Sequence, residues 1–149
     1  MYARTHLVVA LFLSLVFLHS AGGVVFLSAT LFFALFPDVD SQNSWIGKKK
    51  IFKPVRFFTK HRGVLHSSSF MLFLGIIIYF LFPSVFEGFL LGYGSHLILD
   101  SLTPRGIKLF WPLDLRLKGR FRTGGGVEIF IFVAFIILDV TFVLTHILF

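Results

Sequence analysis

Apolar residues run from Leu7 to Phe36 with one polar break at residues 19–23, and return at Phe70–Phe82, Phe86–Leu102 and Val127–Phe149. The first run holds 30 residues, about 45 Å as a single helix and longer than a bilayer core requires. His19, Ser20, Gly22 and Gly23 divide it into two short helices, read as a hairpin whose members tilt or thin the bilayer to fit. Pro37 closes the second helix, because a proline pushes the residue before it out of helical angles, and Asp38 and Asp40 follow at once. The third run stops at Pro83-Ser84, and the fourth ends at Thr103-Pro104-Arg105-Gly106. The last, of 23 residues, is long enough to span with some tilt. This pattern predicts an all-α integral membrane protein, residues 1–149 forming a single membrane-embedded domain of about five membrane helices with two basic loops.

Composition agrees. The chain is 56% hydrophobic and 14% charged, with 22 Phe and a mean hydropathy of +0.90, a balance outside the range of soluble domains. Arg4 before an apolar core and small residues at 20–23 also fit a signal peptide. Apolar sequence resumes directly at Val24, however, which favours a membrane segment. There is no cysteine, so disulfides and thiolate metal sites are excluded and any metal must rest on His, Asp and Glu.

The net charge of +7 is concentrated in two loops. Lys48, Lys49, Lys50, Lys53, Arg56, Lys60 and Arg62 lie in the first, which also carries Trp45 and Phe52, Phe57 and Phe58 for the interface; Arg105, Lys108, Arg116, Lys118, Arg120 and Arg122 lie in the second. The positive-inside rule makes both loops cytoplasmic, which puts the N-terminus inside and the C-terminus outside a cell membrane crossed several times. Topology and contact with anionic headgroups account for most of this charge. From Leu115 to Arg122 apolar and basic residues nearly alternate, as in an extended segment lying on lipid. Without a recognisable module, the basic loops give no support for nucleic-acid binding.

That topology gathers the candidate chemistry. His6 opens the first helix, Asp38 and Asp40 close the second, His61 and His66 lead into the third, His96 and Asp100 close the fourth, and Glu128 opens the fifth. All eight fall at cytoplasmic ends; of the 13 His, Asp and Glu residues, only His19, Glu87, Asp114, Asp139 and His146 do not. His96 and Asp100, four apart, share one helix face. A general preference of polar residues for helix ends would bring Lys, Asn and Gln equally, and would not leave the outer turns so poor in ligands. His and carboxylate donors without thiolate suit Zn²⁺, Mn²⁺ or Fe²⁺. Eight candidates exceed the four ligands of one zinc ion, so two or more ions, or carboxylates standing behind the ligands, are expected.

Three stretches resemble a known family: Phe-Pro-Asp-Val-Asp-Ser at 36–41, His-Arg-Gly-Val-Leu-His-Ser at 61–67, and the segment from Gly92 through His96, Asp100 and Arg105 to Pro112. In type and order they resemble the YdjM-like family of inner-membrane proteins, for which metal-dependent hydrolase activity is inferred. The resemblance carries His6, Asp38, Asp40, His61, Arg62, His66, His96, Asp100 and Glu128 as motif residues. Two positions depart from it: Ser41-Gln42 stand where His-Pro is frequent, and Leu65 stands where Thr is frequent. A more distant similarity to the helical zinc phospholipase C group implies phosphoester hydrolysis.

The expectation is therefore a membrane-bound metal-dependent hydrolase, most simply of zinc, acting on a phosphoester such as a lipid headgroup at the cytoplasmic surface. Asp38, Asp40 and Glu128 are the candidate bases, and Arg62 and Arg105 the candidate phosphate contacts. A metal-binding or transport protein without hydrolytic activity is the alternative. It would need a polar path across the bilayer, for which His19 and Asp139 lie at similar depth, about 18–20 Å from the cytoplasmic helix ends. A third reading has the metal only stapling the helices together.

Overall fold

The computed structural model describes residues 1–17, 23–41, 44, 47–53 and 63–146. They form five α-helices: α1 (Ala3–Phe17), α2 (Gly23–Leu35), α3 (Ser68–Leu81), α4 (Pro83–Ser101) and α5 (Gly126–His146). Short 3₁₀ turns at Phe36–Asp40 and Val64–His66 follow α2 and precede α3. By length and composition, Gly23–Asp40 and Gly126–His146 can each cross a membrane; Ala3–Phe17 and Ser68–Leu81 are apolar but shorter. Five helices among the described residues thus match the apolar runs; α5, and α2 together with the turn that follows it, have the length and hydropathy of a span.

Small residues decide how closely the helices approach. A Cβ on Gly92 would lie 2.2 Å from the Thr30 carbonyl oxygen and 3.0 Å from the Ala34 amide nitrogen, and one on Gly88 would lie 2.7 Å from Ala29 Cβ. With Gly at both positions, α4 settles on the Ala29, Thr30 and Ala34 face of α2, the small-xxx-small contact usual between membrane helices. Continuing in steps of four from Gly88 and Gly92, the same face reaches His96 and then Asp100. Phe89 and Tyr93 are fully buried beside this seam, and Phe89 meets Phe33 of α2 edge to face at 5.0 Å.

α1 buries Thr5, His6, Val9, Ala10 and Ser14, one helical face, against α2, α4 and α5. It begins at Ala3, four residues before the apolar run, because Glu128 of α5 receives its first polar groups. The Tyr2 N–H donates to Glu128 Oε1 at 2.5 Å and the Thr5 hydroxyl donates to the same oxygen at 2.9 Å. Pro83 begins α4 rather than ending a turn, since at the first helical position its missing N–H costs nothing. Phe82 alone therefore joins α3 to α4.

The outward faces are apolar. Leu72, Phe73, Ile76, Phe80, Phe130 and Ile137 are exposed, a surface that is stable only when covered, as lipid would cover it. Beyond α4, β1 (Ile107–Lys108) and β2 (Arg116–Leu117) pair antiparallel. Asp114 ties this small hairpin together, 2.9 Å from Lys108 Nζ and 3.1 Å from Arg116 Nε. Phe110, Trp111, Leu113 and Leu115 are exposed at its tip, within a segment that also carries Lys118 and Arg120. Only Arg116 and Leu117 of the expected extended segment form a strand. The remainder, Lys118 to Arg122, runs back along the end of α4, where the Gly119 N–H donates to the Thr103 carbonyl at 3.1 Å and the Phe121 N–H to the Leu102 carbonyl at 3.0 Å.

Candidate metal centre

Three imidazoles meet where α1, α4 and the two 3₁₀ turns converge, and each is held by a different device. His96, one turn beyond Gly92, is brought against the end of α2 by the close helix contact. Its Nδ1 lies 2.7 Å from the Ala34 carbonyl. A carbonyl only accepts, so Nδ1 carries the proton and Nε2 points inward with its lone pair. His66 sits in the 3₁₀ turn just before Ser67, whose hydroxyl caps α3 by accepting from the Phe70 N–H at 3.1 Å. The buried Tyr93 hydroxyl donates to the carbonyl of the preceding Leu65, which fixes that turn against α4. His6 stacks on His96 with ring centroids 4.0 Å apart and planes 15° from parallel.

The carboxylates surround these rings. Pro37 starts the tight turn that carries Asp38 and Asp40, and the two face opposite nitrogens of His66: Asp38 Oδ1 is 3.6 Å from Nε2, and Asp40 Oδ2 is 3.4 Å from Nδ1. Asp100 divides its oxygens. Oδ2 faces the centre, 3.7 Å from His66 Nε2 and 4.0 Å from His96 Nε2. Oδ1 faces His6 Nε2 at 3.4 Å and accepts from the Met1 amino group. His6, His66, His96 and Asp100 are at most 1% exposed, whereas the Asp38 side chain is 13% exposed and forms the rim.

The donor set fits a metal ion. His66 Nε2 and His96 Nε2 approach to 3.3 Å, and two imidazole nitrogens that close require a proton or a cation between them. Tetrahedral zinc with bonds of about 2.0–2.1 Å sets its ligands about 3.3 Å apart. Two groups of three donors, His6–Asp38–His96 and His66–His96–Asp100, each lie within 4.8 Å of one another.

In the metal-free protein a proton takes the cation's place. Burial alone would depress His66, but the Asp38 and Asp40 carboxylates outweigh it and raise its pKa from 6.5 to about 9. That shift stabilises the metal-free fold most fully below pH 6.5, and the contribution is lost as pH rises through about 9. An ion on Nε2 displaces this proton. Zinc binding at pH 7 is accordingly expected to release about one proton from His66, and affinity to rise about tenfold per pH unit up to about pH 9. Calorimetry in buffers of different ionisation enthalpy measures the release; none at pH 7 would remove His66 from the ligand set.

The other candidates lie as follows. Glu128 is buried one helix away from the imidazoles, and besides Tyr2 and Thr5 it accepts from the Gly124 N–H at 2.6 Å, so its carboxylate holds α1 to α5. Arg105 is exposed in the turn after α4. His61 and Arg62 fall outside the described residues, as does His19, the expected partner of Asp139. The sequence reading gave no role to Gly88, Tyr93 or the Ala34 carbonyl. The fourfold spacing of Gly88, Gly92, His96 and Asp100 was a readable signal, while a backbone carbonyl leaves none.

Comparison with known proteins matches the chain to one family. A family model described as YdjM inner membrane protein matches residues 1–148. The chain is 36% identical over 93 residues to the inner membrane protein YdjM of Escherichia coli (strain K12), an overlap of 56% of this chain and 47% of that one. It is 38% identical over 89 residues to the uncharacterized protein YvsG of Bacillus subtilis (strain 168), covering 57% of this chain and 56% of the relative. The chain thus spans about half the length of these curated relatives. No solved structure matches it.

Proposed function

The chain belongs to the YdjM inner membrane protein family, and from that premise we propose that it is a membrane-bound metal-dependent hydrolase acting on a phosphoester at the cytoplasmic surface. In this reading its five helices all lie in the bilayer, with the N-terminus inside and the C-terminus outside. One observation carries the proposal: His66 Nε2, His96 Nε2 and Asp100 Oδ2 converge within 4.0 Å of one another in a buried site beside the partly exposed Asp38. Zinc held there would lower the pKa of a water molecule and stabilise negative charge on phosphoryl oxygens.

The chain's own groups then divide the work. Asp38, on the rim, is placed to take a proton from water entering the site. Asp40 keeps the His66 ring in position through Nδ1, the second-layer contact that makes a histidine a better ligand. Arg105 stands beside the end of α4 where a headgroup phosphate would approach, and Arg62 is its counterpart in the first loop. Glu128 secures the start of α1 and with it His6.

The test uses purified protein in detergent, loaded with zinc and given phosphatidic acid, phosphatidylglycerol and p-nitrophenyl phosphate. Turnover of at least one phosphoester, abolished by a chelator, restored by zinc and missing in His96→Gln, is the expected outcome. A zinc-loaded protein that hydrolyses none of them would overturn the proposal.

Transport is the second reading, favoured by Asp139. This carboxylate on α5 is 7% exposed, and its Oδ1 has no hydrogen-bond partner among the described residues. An ionisable group at that depth in a membrane helix commonly marks a pathway. Zinc uptake into proteoliposomes that disappears in Asp139→Asn would favour transport; absence of uptake by the unmodified protein would dismiss it.

A further inference from the structure

Among the described residues, the two donor groups able to hold an ion both include His96. Its Nδ1–H is committed to the Ala34 carbonyl at 2.7 Å, and a protonated ring nitrogen has no lone pair to give. His96 therefore offers one lone pair, at Nε2, and a single imidazole lone pair serves one ion. The two groups are alternatives.

Building on the metal-site reading above, we infer that the site holds a single divalent ion, bound by His66 Nε2, His96 Nε2 and Asp100 Oδ2, and that His6 is a positioning residue rather than a ligand. The chosen group is the one whose three side chains are all buried. Its separations of 3.3, 3.7 and 4.0 Å lie near the spacing set by one tetrahedral ion. Asp38, with Oδ1 3.6 Å from His66 Nε2, supplies the fourth side or borders it.

His6 lies on the far side of Asp100. Its Nε2 faces Oδ1, the oxygen turned away from the centre, and its ring lies flat against His96. From there it fixes the carboxylate's rotation and walls the site, as groups behind first-layer ligands commonly do. Seven of the eight ligand candidates of the sequence, all but His61, thus resolve into one ion's ligands and the groups that surround them.

Elemental analysis of the full chain, purified in detergent, loaded with zinc and dialysed, counts ions per chain directly. One equivalent is expected. His6→Gln should keep that equivalent with affinity reduced about 10–100-fold, as for a group behind the ligands, while His66→Gln and His96→Gln should each lose more than ~100-fold. Two tightly held equivalents in the unmodified chain would overturn the single-ion inference while leaving the metal reading intact. So would a His6→Gln variant that binds as weakly as His96→Gln. A chain that retains no zinc at all would overturn the metal reading itself, and this inference with it.

Discussion

Asp100→Asn is expected to lower zinc affinity at least ~100-fold and to bring phosphoester hydrolysis below detection. The substitution removes the charge of a buried carboxylate that faces both His66 Nε2 and His96 Nε2, and with it negative charge that offsets a dication in a buried place. Asn is chosen over Ala because its amide oxygen still accepts from the Met1 amino group that Oδ1 holds, so α1 keeps its anchor. Asp40→Asn provides the graded comparison. Asp40 touches His66 on the nitrogen away from the centre, and loss of such a contact costs about 10–100-fold in metal affinity. Equilibrium binding with a competing chelator, read beside turnover, separates the two. Normal turnover by an Asp100→Asn protein that has lost its metal would exclude metal-dependent chemistry.

Gly92→Ala is expected to be strongly destabilising. The new Cβ would stand 2.2 Å from the Thr30 carbonyl oxygen, and backbone cannot swing aside as a side chain can, so α4 must move away from α2. Overpacking of this kind costs about 3 kcal/mol, about 6–12 °C in Tm for a chain of this size. Because His96 follows one turn later, the same movement breaks its bond to Ala34 and weakens metal binding. Gly94→Ala is the matched control: its Cβ meets only Met71 Cε at 3.6 Å, and the gain in helix propensity is about 1 kcal/mol. Thermal unfolding in detergent should place the two variants on opposite sides of the parent. A Gly92→Ala protein as stable as Gly94→Ala would show that the helices are not in close contact there.

Much of the architecture was legible because membrane helices announce themselves by apolar length, and polar groups in such a chain stand out. His6, Asp38, His66, His96 and Asp100 were readable as a group for that reason, since the topology sends every one of their helix ends to the same side. What the pattern could not assign was which atom faces which. His66 and His96 look equivalent in sequence, yet one is oriented by a carboxylate and the other by the carbonyl of Ala34, a residue with no side-chain polarity. Glu128 shares the end of the bundle with the imidazoles but spends its oxygens on Tyr2, Thr5 and Gly124. That depends on how far α1 extends past its apolar run, which local hydropathy does not encode. Asp40 and Asp38, two residues apart, differ in role because a 3₁₀ turn carries them to opposite edges of one ring.

The tie between Glu128 and Tyr2 joins groups 126 residues apart, and it bears on how the protein is made. A ribosome delivers α1 first, yet the two carboxylates that receive its beginning, Asp100 and Glu128, come from the second half of the chain. His6 therefore meets Asp100 only after α2, α3 and α4 have been made. His66, His96 and Asp100 are likewise together only once α4 is made, and the anchor of α1 on Glu128 forms later still, with α5.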